Sequence, residues 1–340
     1  MITTQFYKGQ GFGNQLWVYS VLRAISAKKG FEFGIQSPEK FKGRGFLDLD
    51  MGKKVLGIKT SGPSRFKPIG IRDILFEDFV VHKDSRINLT PLDCRINTLR
   101  DKTKIEGYFQ SESIIIGHKR EISEWFKANE TQNLDKDLCI INFRGGDYRG
   151  HTDLILGINY YQNAIKKVLE NNSNARFGIV TDDPDYAELI FPDIEILSNK
   201  ADIDNIDYDN GVDPKKLSRD FSMIQNASHL ILSNSSFSWW GAWTNQNTPF
   251  VVAPKYWARH NLSNNLWSPG NSLTSSWYWL GRDGTLDSYE TCFKEWQQTW
   301  ARLESDGKLE IISDWYKRKN HWESLKSRVY RLKQHRKTKI

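Results

Sequence analysis

A short apolar run that leads into a hydroxyl-rich turn and then into an aromatic helix start is the strongest indication of a fold in this sequence. It spans Leu230–Trp243 and reads LILSNSSFSWWGAW. Such runs are typical of strands covered on both faces of a sheet, and Asn234, Ser235 and Ser236 are favourable caps for a following helix. Because the first amides of a helix lack partners and its dipole favours negative charge, this junction predicts an anion site. The alternative is that the segment is only a capped helix with a buried pair of Trp residues and has a structural role.

A second apolar run ends in a turn that contains arginine and glycine. The run Leu138–Ile141 is followed by NFRGGDY, which begins at Asn142. Arginine at a strand end can donate two hydrogen bonds to phosphate oxygens, and the glycines allow the backbone to approach a ligand closely. The turn therefore predicts that Arg144 contacts an anion. An ordinary surface ion pair with Asp147 is the alternative.

Three glycines near the start lie between a predicted strand, ITTQFY, and a helix that is predicted to begin near Asn14. They are Gly9, Gly11 and Gly13. Their spacing, GQGFG, differs from the GxGxxG pattern of a dinucleotide-binding fold, and no acidic residue ends a convincing second strand about 20 residues further on. The glycines therefore do not indicate a dehydrogenase.

Together these segments resemble the GDP-fucose-dependent fucosyltransferases, most closely the bacterial α-1,2-fucosyltransferases of a glycosyltransferase family 11-like group. GFGNQLWVYSVLRAIS is similar to that family's N-terminal glycine loop and helix, and GYFQSES at Gly107–Ser113 is similar to the signature of its first domain. NFRGGDY falls where the HxRRxD signature belongs, and FGIVTDDPDYAELIF and SNSSFSWWGAW follow in the expected order. The resemblance extends from Gly11 to about Pro254, and SSFSWWGAW is its most specific segment.

The arginine turn departs from that family's pattern at two positions. Asn142 stands where the family usually has His, and Gly145 stands where it usually has a second Arg. Arg144 keeps the first arginine position, so the resemblance implies that the diphosphate contact is retained. The departures leave the exact donor and acceptor open.

The expected fold class is α/β, of GT-B type, with two Rossmann-like domains and a helical C-terminal extension. We expect an N-terminal, acceptor-side domain that carries the glycine loop over residues 1–132, a GDP-sugar donor-binding domain over 133–285 and a helical, basic extension over 286–340. A boundary near Ala128–Asp137 is predicted because an amphipathic helix gives way there to a polar stretch. In the second half, alternating strands and helices indicate a parallel sheet, whose ligands bind at the carboxyl ends of the strands.

The resemblance implies an inverting transfer of L-fucose from GDP-β-L-fucose to a sugar hydroxyl, giving an α-linkage, with α-1,2 transfer to galactose of a bacterial surface glycan expected. Breaking the anomeric bond creates a departing diphosphate, so stabilisation of that charge is expected to be the largest catalytic contribution. Arg144 is the residue implied for this role. The other residues implied for the diphosphate cradle are Gly13, Asn14, Ser235, Ser236 and Phe237.

Two further assignments concern the base of the nucleotide and the acceptor. The resemblance implies that Asp220 reads guanine, because a carboxylate can accept from both the N1–H and the exocyclic amine of that base. A helix N-cap is the alternative role of Asp220. Asp147 and His151 are the candidates for an acceptor base, although Asp147 could instead anchor Arg144 and His151 could be a polar loop residue.

No metal and no other cofactor is expected, with GDP-fucose bound as the donor substrate. Metal dependence is the alternative, since the triplets Asp48–Asp50, Asp202–Asp204 and Asp207–Asp209 fit a DxD pattern. The second and third lie in a polar loop with no strand leading into them, and Arg144 supplies the positive charge that Mg²⁺ would otherwise provide. Other GDP-sugars as donors, and a non-catalytic carbohydrate-binding protein of the same fold, are the competing functions.

Cysteine usage and hydropathy indicate the compartment. Cys94, Cys139 and Cys292 are an odd number of thiols among apolar neighbours, which favours reduced structural cysteines over a disulfide framework or a metal site. The sequence lacks a secretory signal pattern and any run of about 18 apolar residues. We therefore expect a cytoplasmic protein.

Positive charge is concentrated at the C-terminus. Residues Trp315–Ile340 contain ten Lys or Arg and one acid, Glu323, whereas the chain as a whole has a net charge of +7. This basic segment could contact an anionic membrane surface or nucleic acid, or form a solvated helix. Because an oligosaccharide or lipid-linked glycan acceptor would lie at the inner face of the cytoplasmic membrane, we expect peripheral membrane contact and no nucleic acid.

Overall fold

The structure is a computed structural model that describes residues 1–58, 67–68, 70–71, 73–76, 78–82, 85–87, 93–128, 132–198, 213–247, 249–263, 265–267, 272–307 and 310–313. Its helices are α1 (Phe12–Lys29), α2 (Asp93–Thr98), α3 (Glu112–Ile115), α4 (Lys119–Trp125), α5 (Ile158–Asn171), α6 (Pro184–Ile190), α7 (Pro214–Asn226), α8 (Ser236–Trp243) and α9 (Tyr289–Ser305). Short 3₁₀ turns cover Pro38–Lys40, Ile116–His118, Gly146–Gly150 and His260–Leu262.

Most of the strands belong to two sheets, one in each half of the chain. In chain order the strands are β1 (Ile2–Gln5), β2 (Phe33–Gln36), β3 (Gly57–Ile58), β4 (Lys67–Pro68), β5 (Asp73–Phe76), β6 (Asp78–His82), β7 (Ser85–Ile87), β8 (Thr103–Glu106), β9 (Leu138–Phe143), β10 (Arg176–Thr181), β11 (Glu195–Ile196), β12 (His229–Ile231), β13 (Phe250–Pro254), β14 (Tyr278–Leu280), β15 (Leu286–Asp287) and β16 (Glu310–Ser313).

The N-terminal half is built on a parallel sheet with the order β2-β1-β8-β5. The predicted first strand and the long apolar helix after the glycines are confirmed. This helix, α1, begins at Phe12 and ends before Gly30, whose φ of +65° closes the helix through hydrogen bonds to the carbonyls of Ser26 and Ala27. Glycine suits that left-handed position because it has no Cβ.

The second half is built on a larger sheet with the order β11-β10-β9-β12-β13-β14-β15. Every pairing in it is parallel except the last one, between β14 and β15. Counted from β9, the six parallel strands follow the order 3-2-1-4-5-6, which is that of doubly wound nucleotide-binding sheets. The predicted parallel sheet is thus confirmed, and its strand order reverses between β9 and β12.

The two halves share one hydrophobic core. Helix α1 packs against α8, where the Trp17 ring lies 4.2 Å from that of Trp239 and 4.8 Å from that of Trp240, centroid to centroid. Just after α4, the buried Gln225 side chain donates to the carbonyl of Phe126 at 2.8 Å and accepts from the amide of Ala128 at 3.1 Å. The chain is therefore fixed to the second half at the start of the predicted boundary region; the domain limits themselves stay a prediction.

A buried carboxylate also joins the two halves. Glu112, which is 7% exposed, accepts hydrogen bonds from the indole of Trp243 at 2.7 Å and from the amide of Ser275 at 2.8 Å. The Ser275 hydroxyl adds a third bond at 3.1 Å. Buried carboxylates are costly unless several donors satisfy them. Glu112, from the GYFQSES segment, thus has a structural role between α3 and α8.

The described part of the C-terminal extension is not wholly helical, which corrects the expectation for residues 286–340. After α9, strand β16 pairs antiparallel with β6 of the N-terminal half. Ile311 and Ile312 are β-branched residues that favour a strand. The basic segment Trp315–Ile340 lies outside the described residues, and none of the helices that the structure describes is long and apolar enough to span a membrane.

Two of the three cysteines are buried free thiols. They are Cys139 on β9 and Cys292 on α9, and burial raises the pKa of both, to about 12 for Cys292. Thiols of raised pKa are poor nucleophiles and metal ligands, which supports a structural role. The side chain of Cys94 lies outside the described part of the chain.

Candidate active site

The arginine turn follows β9 and is held by two carboxylates that follow β10. The amide of Gly145 donates to Asp182 at 3.0 Å, and the amide of Gly146 donates to Asp183 at 3.1 Å. A Cβ atom at position 145 would lie 2.6 Å from Cβ of Asp183, and Gly146 has a φ of +38°. Both positions therefore require glycine, and a second arginine at 145 has no room beside Asp183.

The guanidinium of Arg144 lies between two carboxylates. Its Nη1 is 2.6 Å from Oδ2 of Asp182 and its Nη2 is 2.6 Å from Oδ1 of Asp147. Burial raises the pKa of Asp182, and Arg144 opposes that change. The ion pair with Asp147 is thus present, but the Asp147 side chain is 71% exposed and that of Asp182 is 29% exposed. A bound anion could displace Asp147 while Asp182 keeps the guanidinium oriented.

Asn142, the first departure from the family's signature, lies inside the sheet. It is 5% exposed, accepts from the Ser233 hydroxyl at 2.6 Å and donates to the carbonyl of Val180 at 3.4 Å. These bonds link β9 to β10 and to the end of β12. Asn142 therefore has a structural role at the carboxyl end of β9, two residues before Arg144.

The predicted strand, turn and helix at Leu230–Trp243 are confirmed as β12, its turn and α8, with Trp239 and Trp240 buried. Ser235 is the N-cap residue, but its side chain makes no capping hydrogen bond. The expectation of a hydroxyl cap at this residue is therefore wrong. The first amides of α8 have no intrahelical partner, and they keep their capacity to bind an anion.

Gly13 lies against the start of α8. A Cβ atom at position 13 would lie 2.6 Å from the backbone nitrogen of Phe237 and closer still to the backbone of Ser236. The carbonyl of Gly13 also accepts from the Trp240 indole at 3.0 Å. Helix α1, like α8, has no side-chain cap, so two uncapped helix N-termini lie side by side. Gly13 is the residue that permits this approach.

Asn14, the second residue implied from the glycine loop, contacts the GYFQSES segment. Its Oδ1 accepts from the Gln110 side chain at 2.8 Å. This bond fixes the first turn of α1 to the loop after β8. The side chain of Asn14 therefore has a structural partner, while its backbone amide lies in the uncapped first turn of the helix.

Asp220 lies within α7 and is not a helix cap, so the alternative role for this residue is wrong. The helix begins six residues earlier, where the Asp213 side chain accepts from the amides of Lys215 and Lys216. Asp220 is 5% exposed, and burial raises its pKa. Its Oδ2 accepts from Ser198 at 2.9 Å and from the Lys216 ammonium at 3.2 Å, whereas its Oδ1 is buried without a hydrogen-bond partner.

The candidate acceptor bases differ in their surroundings. Asp147 contacts Arg144 as described, which favours its role as an anchor. His151 is exposed and follows the 3₁₀ turn after Gly145, where its amide donates to the carbonyl of Tyr148 at 2.8 Å. The contacts of the described residues do not bring the imidazole of His151 to Arg144 or Asp147.

The acidic triplets are only partly covered by the structure. Asp50 uses its side chain to accept from the amide of Gly52 at 2.8 Å and lies 3.8 Å from Arg23. The triplets at 202–204 and 207–209 lie outside the described residues. Within the residues that are described, no group of three or more His, Cys, Asp or Glu side chains could hold a metal ion.

Four residues of this edge were not assigned a role from the sequence. Asp182 and Asp183 hold the arginine turn, and Ser198 and Lys216 hold Asp220. The first pair had a signal, because FGIVT is an apolar run that ends in two aspartates at the carboxyl edge of a predicted parallel strand. In the second pair, Lys216 lies four residues before Asp220 on the same helix, which is a sequence signal. Ser198 had no signal, since it meets Asp220 only in the folded chain.

Comparison with known proteins shows the family to which the chain belongs. The model of the family described as glycosyl transferase family 11 matches residues 11–270. An α-1,2-colitosyltransferase of Escherichia coli is 28% identical to this chain, in an alignment that covers 73% of this chain and 89% of that protein. The O-antigen biosynthesis glycosyltransferase WbnK of E. coli is 27% identical over 47% of this chain and 57% of its own length.

Among solved structures, the α-1,6-fucosyltransferase NodZ, in a crystal soaked with GDP-fucose, matches 72% of this chain and 92% of its own. The identity is 13% and the TM-score is 0.39. The family match covers most strands of both sheets, with β1, β14 and β15 outside it, and includes the turns after β9 and β12. This chain is a glycosyltransferase and belongs to glycosyl transferase family 11.

Proposed function

We propose that this protein transfers L-fucose from GDP-β-L-fucose, with inversion, to the 2-hydroxyl of galactose in a bacterial surface glycan. The observation that carries the proposal is the reversal of strand order between β9 and β12. Doubly wound sheets bind nucleotides in the crevice at such a point. Here Arg144 leaves one of the two strands and the uncapped start of α8 follows the other.

The proposed chemistry is departure of GDP as the acceptor hydroxyl attacks the anomeric carbon from the opposite face. Charge develops on the diphosphate in the transition state, and fixed donors aimed at that charge lower the barrier. Arg144 supplies a planar, charged fork, and the amides at the starts of α1 and α8 supply neutral donors. Asp182 orients the fork, and the exposed Asp147 gives way to the phosphate.

Asp147 and His151 are retained as candidates for the residue that accepts the proton of the acceptor hydroxyl. A strongly dissociative transition state needs little assistance from a base. We therefore expect a smaller loss of turnover from Asp147→Asn or His151→Gln than from any change that removes charge compensation at the diphosphate.

We further propose that Asp220 recognises guanine. Its unpartnered Oδ1 is a buried acceptor at the carboxyl edge of the large sheet, and an ionised carboxylate binds donors more strongly than a neutral group does. Guanine offers two adjacent donors, its N1–H and its amino group. The neighbouring Lys216 and Ser198 favour the ionised form of Asp220 through hydrogen bonds to Oδ2.

Asp220→Asn is expected to weaken GDP binding by about 10- to 100-fold, because one acceptor and its charge are lost. The sharper expectation concerns inosine diphosphate, which lacks the amino group of guanine. The wild type should prefer GDP over inosine diphosphate and the variant should lose that preference in calorimetric titrations. Asp193→Asn, at an exposed position, is the control. An unchanged preference in a folded Asp220→Asn protein would remove Asp220 from the base site.

A second donor has a specific observation in its favour. One relative is named an α-1,2-colitosyltransferase, and colitose is L-fucose without its 3-hydroxyl group. Sites that hydrogen-bond a hydroxyl reject the analogue that lacks it, whereas apolar sites discriminate weakly. GDP-colitose is therefore the alternative donor, and the same diphosphate and guanine contacts would serve it.

A donor panel in the presence of EDTA tests the proposed function. GDP-fucose, GDP-colitose, GDP-mannose and UDP-galactose are assayed with galactose-terminated acceptors, with EDTA and with Mg²⁺. We expect turnover of a GDP-6-deoxysugar in EDTA, because Arg144 and the helix amides replace the charge of a cation. Use of the UDP-sugar alone would contradict the donor class, and loss in EDTA that Mg²⁺ or Mn²⁺ restores would contradict metal independence.

Membrane contact through residues 315–340 stays a prediction that rests on charge. Each basic residue near an anionic surface contributes about 1 kcal/mol, and salt screens this attraction. Sedimentation with anionic vesicles at low and high salt tests it.

A further inference from the structure

The segment after β2 is held in place by one buried glutamine in the first turn of α1. Gln15, which is fully buried, donates to the carbonyl of Lys40 at 2.8 Å and accepts from the amide of Lys42 at 2.8 Å. The first turn of α1 also lies against the start of α8 through Gly13. The backbone of Lys42 is therefore fixed relative to the proposed diphosphate site.

Aromatic contacts hold the same segment against the second half. The Phe12 ring lies 6.0 Å from that of Phe41 and 5.4 Å from that of Phe46, centroid to centroid. On its other side, the Phe12 ring lies 5.6 Å from that of Phe221 on α7 and 6.0 Å from that of Phe237 on α8. Residues 41–46 thus lie at the junction of the two halves, next to both helices.

The side chain of Lys42 is half-buried at this junction, and the positive charge of the Arg144 guanidinium acts on it. Burial lowers the pKa of Lys42 first, repulsion by Arg144 lowers it further, and attraction by Asp147 opposes both. Within the described part of the chain, Lys42 forms no ion pair with a carboxylate. Two cations, one from each half, therefore interact at this junction. Among the described residues, Arg144 has two carboxylates within ion-pair distance and Lys42 has none.

Such an arrangement is unfavourable without a ligand and becomes favourable when an anion lies between the charges. A diphosphate carries charge on two phosphate groups, more than Arg144 alone can neutralise. A lysine ammonium acts as a compact point charge and an arginine acts as a planar fork, so the two residues can serve different oxygens of one diphosphate.

We propose that Lys42 binds the donor's diphosphate from the N-terminal half, together with Arg144 from the second half. The proposal rests on the proposed function, in that the β9–β12 edge is taken to bind a GDP-sugar. In this arrangement both halves of the chain contribute residues to the donor site, and Gln15 is the residue that positions Lys42.

Calorimetric titration of the full chain with GDP and with guanosine tests the proposal. The variants are Lys42→Met, Lys42→Arg and, as a control that also removes one positive charge, Lys166→Met on an exposed position of α5. We expect Lys42→Met to raise the Kd for GDP by about 10- to 100-fold, with no change for guanosine. Lys42→Arg should recover much of the affinity, and Lys166→Met should behave as the wild type.

Thermal unfolding without ligand separates binding from a structural role. Because Lys42→Met removes a repulsion with Arg144, its melting temperature without ligand should equal or exceed that of the wild type, while its stabilisation by GDP should fall. A lower melting temperature with equal weakening of GDP and guanosine would overturn the proposal, and so would unchanged GDP affinity. If the wild type itself does not bind GDP, the proposed function fails first, and the two failures are distinguishable.

Discussion

Replacing Arg144 with lysine is expected to reduce turnover of the GDP-sugar by about 100-fold or more, equivalent to about 3 kcal/mol of transition-state stabilisation. Lysine keeps the charge but loses the planar fork, one nitrogen of which lies 2.6 Å from Asp182. A single ammonium cannot keep that contact and still donate two parallel bonds to a phosphate. Steady-state rates and melting curves measure the two effects separately.

Arg149→Lys is the matched control for this experiment. Arg149 lies on the same turn, with its side chain 58% exposed, its Nη1 3.3 Å from Asp183 and its guanidinium 4.6 Å from the centre of the Tyr186 ring. Exposed pairs of this kind contribute little to stability, so turnover should stay within a few-fold of the wild type. Near-normal turnover of a normally folded Arg144→Lys protein would remove Arg144 from the catalytic site.

Replacing Gly13 with alanine is expected to destabilise the protein by about 1–3 kcal/mol and to weaken GDP binding at the same time. The added Cβ atom would lie 2.6 Å from the backbone nitrogen of Phe237, so α1 and α8 must move apart. The obstructing atoms belong to backbone and cannot rotate away. Denaturant unfolding and GDP titration of the same preparation measure both effects.

Gly117→Ala is the control, because a Cβ atom at position 117 would have no neighbour within 4 Å and the φ at this position is not in the left-handed region. Its effect on stability should be small, and GDP binding should not change. If the denaturant midpoint of Gly13→Ala equalled that of the wild type, the contact between the starts of α1 and α8 would not be as close as described.

The local signals in the sequence predicted the parts of the site that depend on neighbouring residues. The runs at Leu138–Ile141 and Leu230–Trp243 became β9 and the β12–α8 unit, because burial on both faces and a turn are properties of short segments. The start of α7 was missed, although Asp213 and Pro214 are a favourable N-cap and first helical residue. That error produced the wrong alternative for Asp220.

The remaining features depend on contacts between distant parts of the chain. A glycine at position 13 permits another segment to approach the backbone closely, but the sequence does not show that this segment contains Ser236. In the same way, the charge of Arg144 acts on Lys42 only because Gln15 and the aromatic contacts of Phe12 hold the segment of Lys42 against the second half. Strand β16 reaches β6 across more than half the chain, and no local pattern specifies its partner.

A crystal structure of the protein with GDP tests the central claim most directly. The account predicts that the diphosphate lies at the carboxyl ends of β9 and β12, within hydrogen-bond distance of the Arg144 guanidinium and of the first amides of α8, with guanine at Asp220. Diphosphate density elsewhere, with Arg144 still bound to both Asp147 and Asp182, would contradict it.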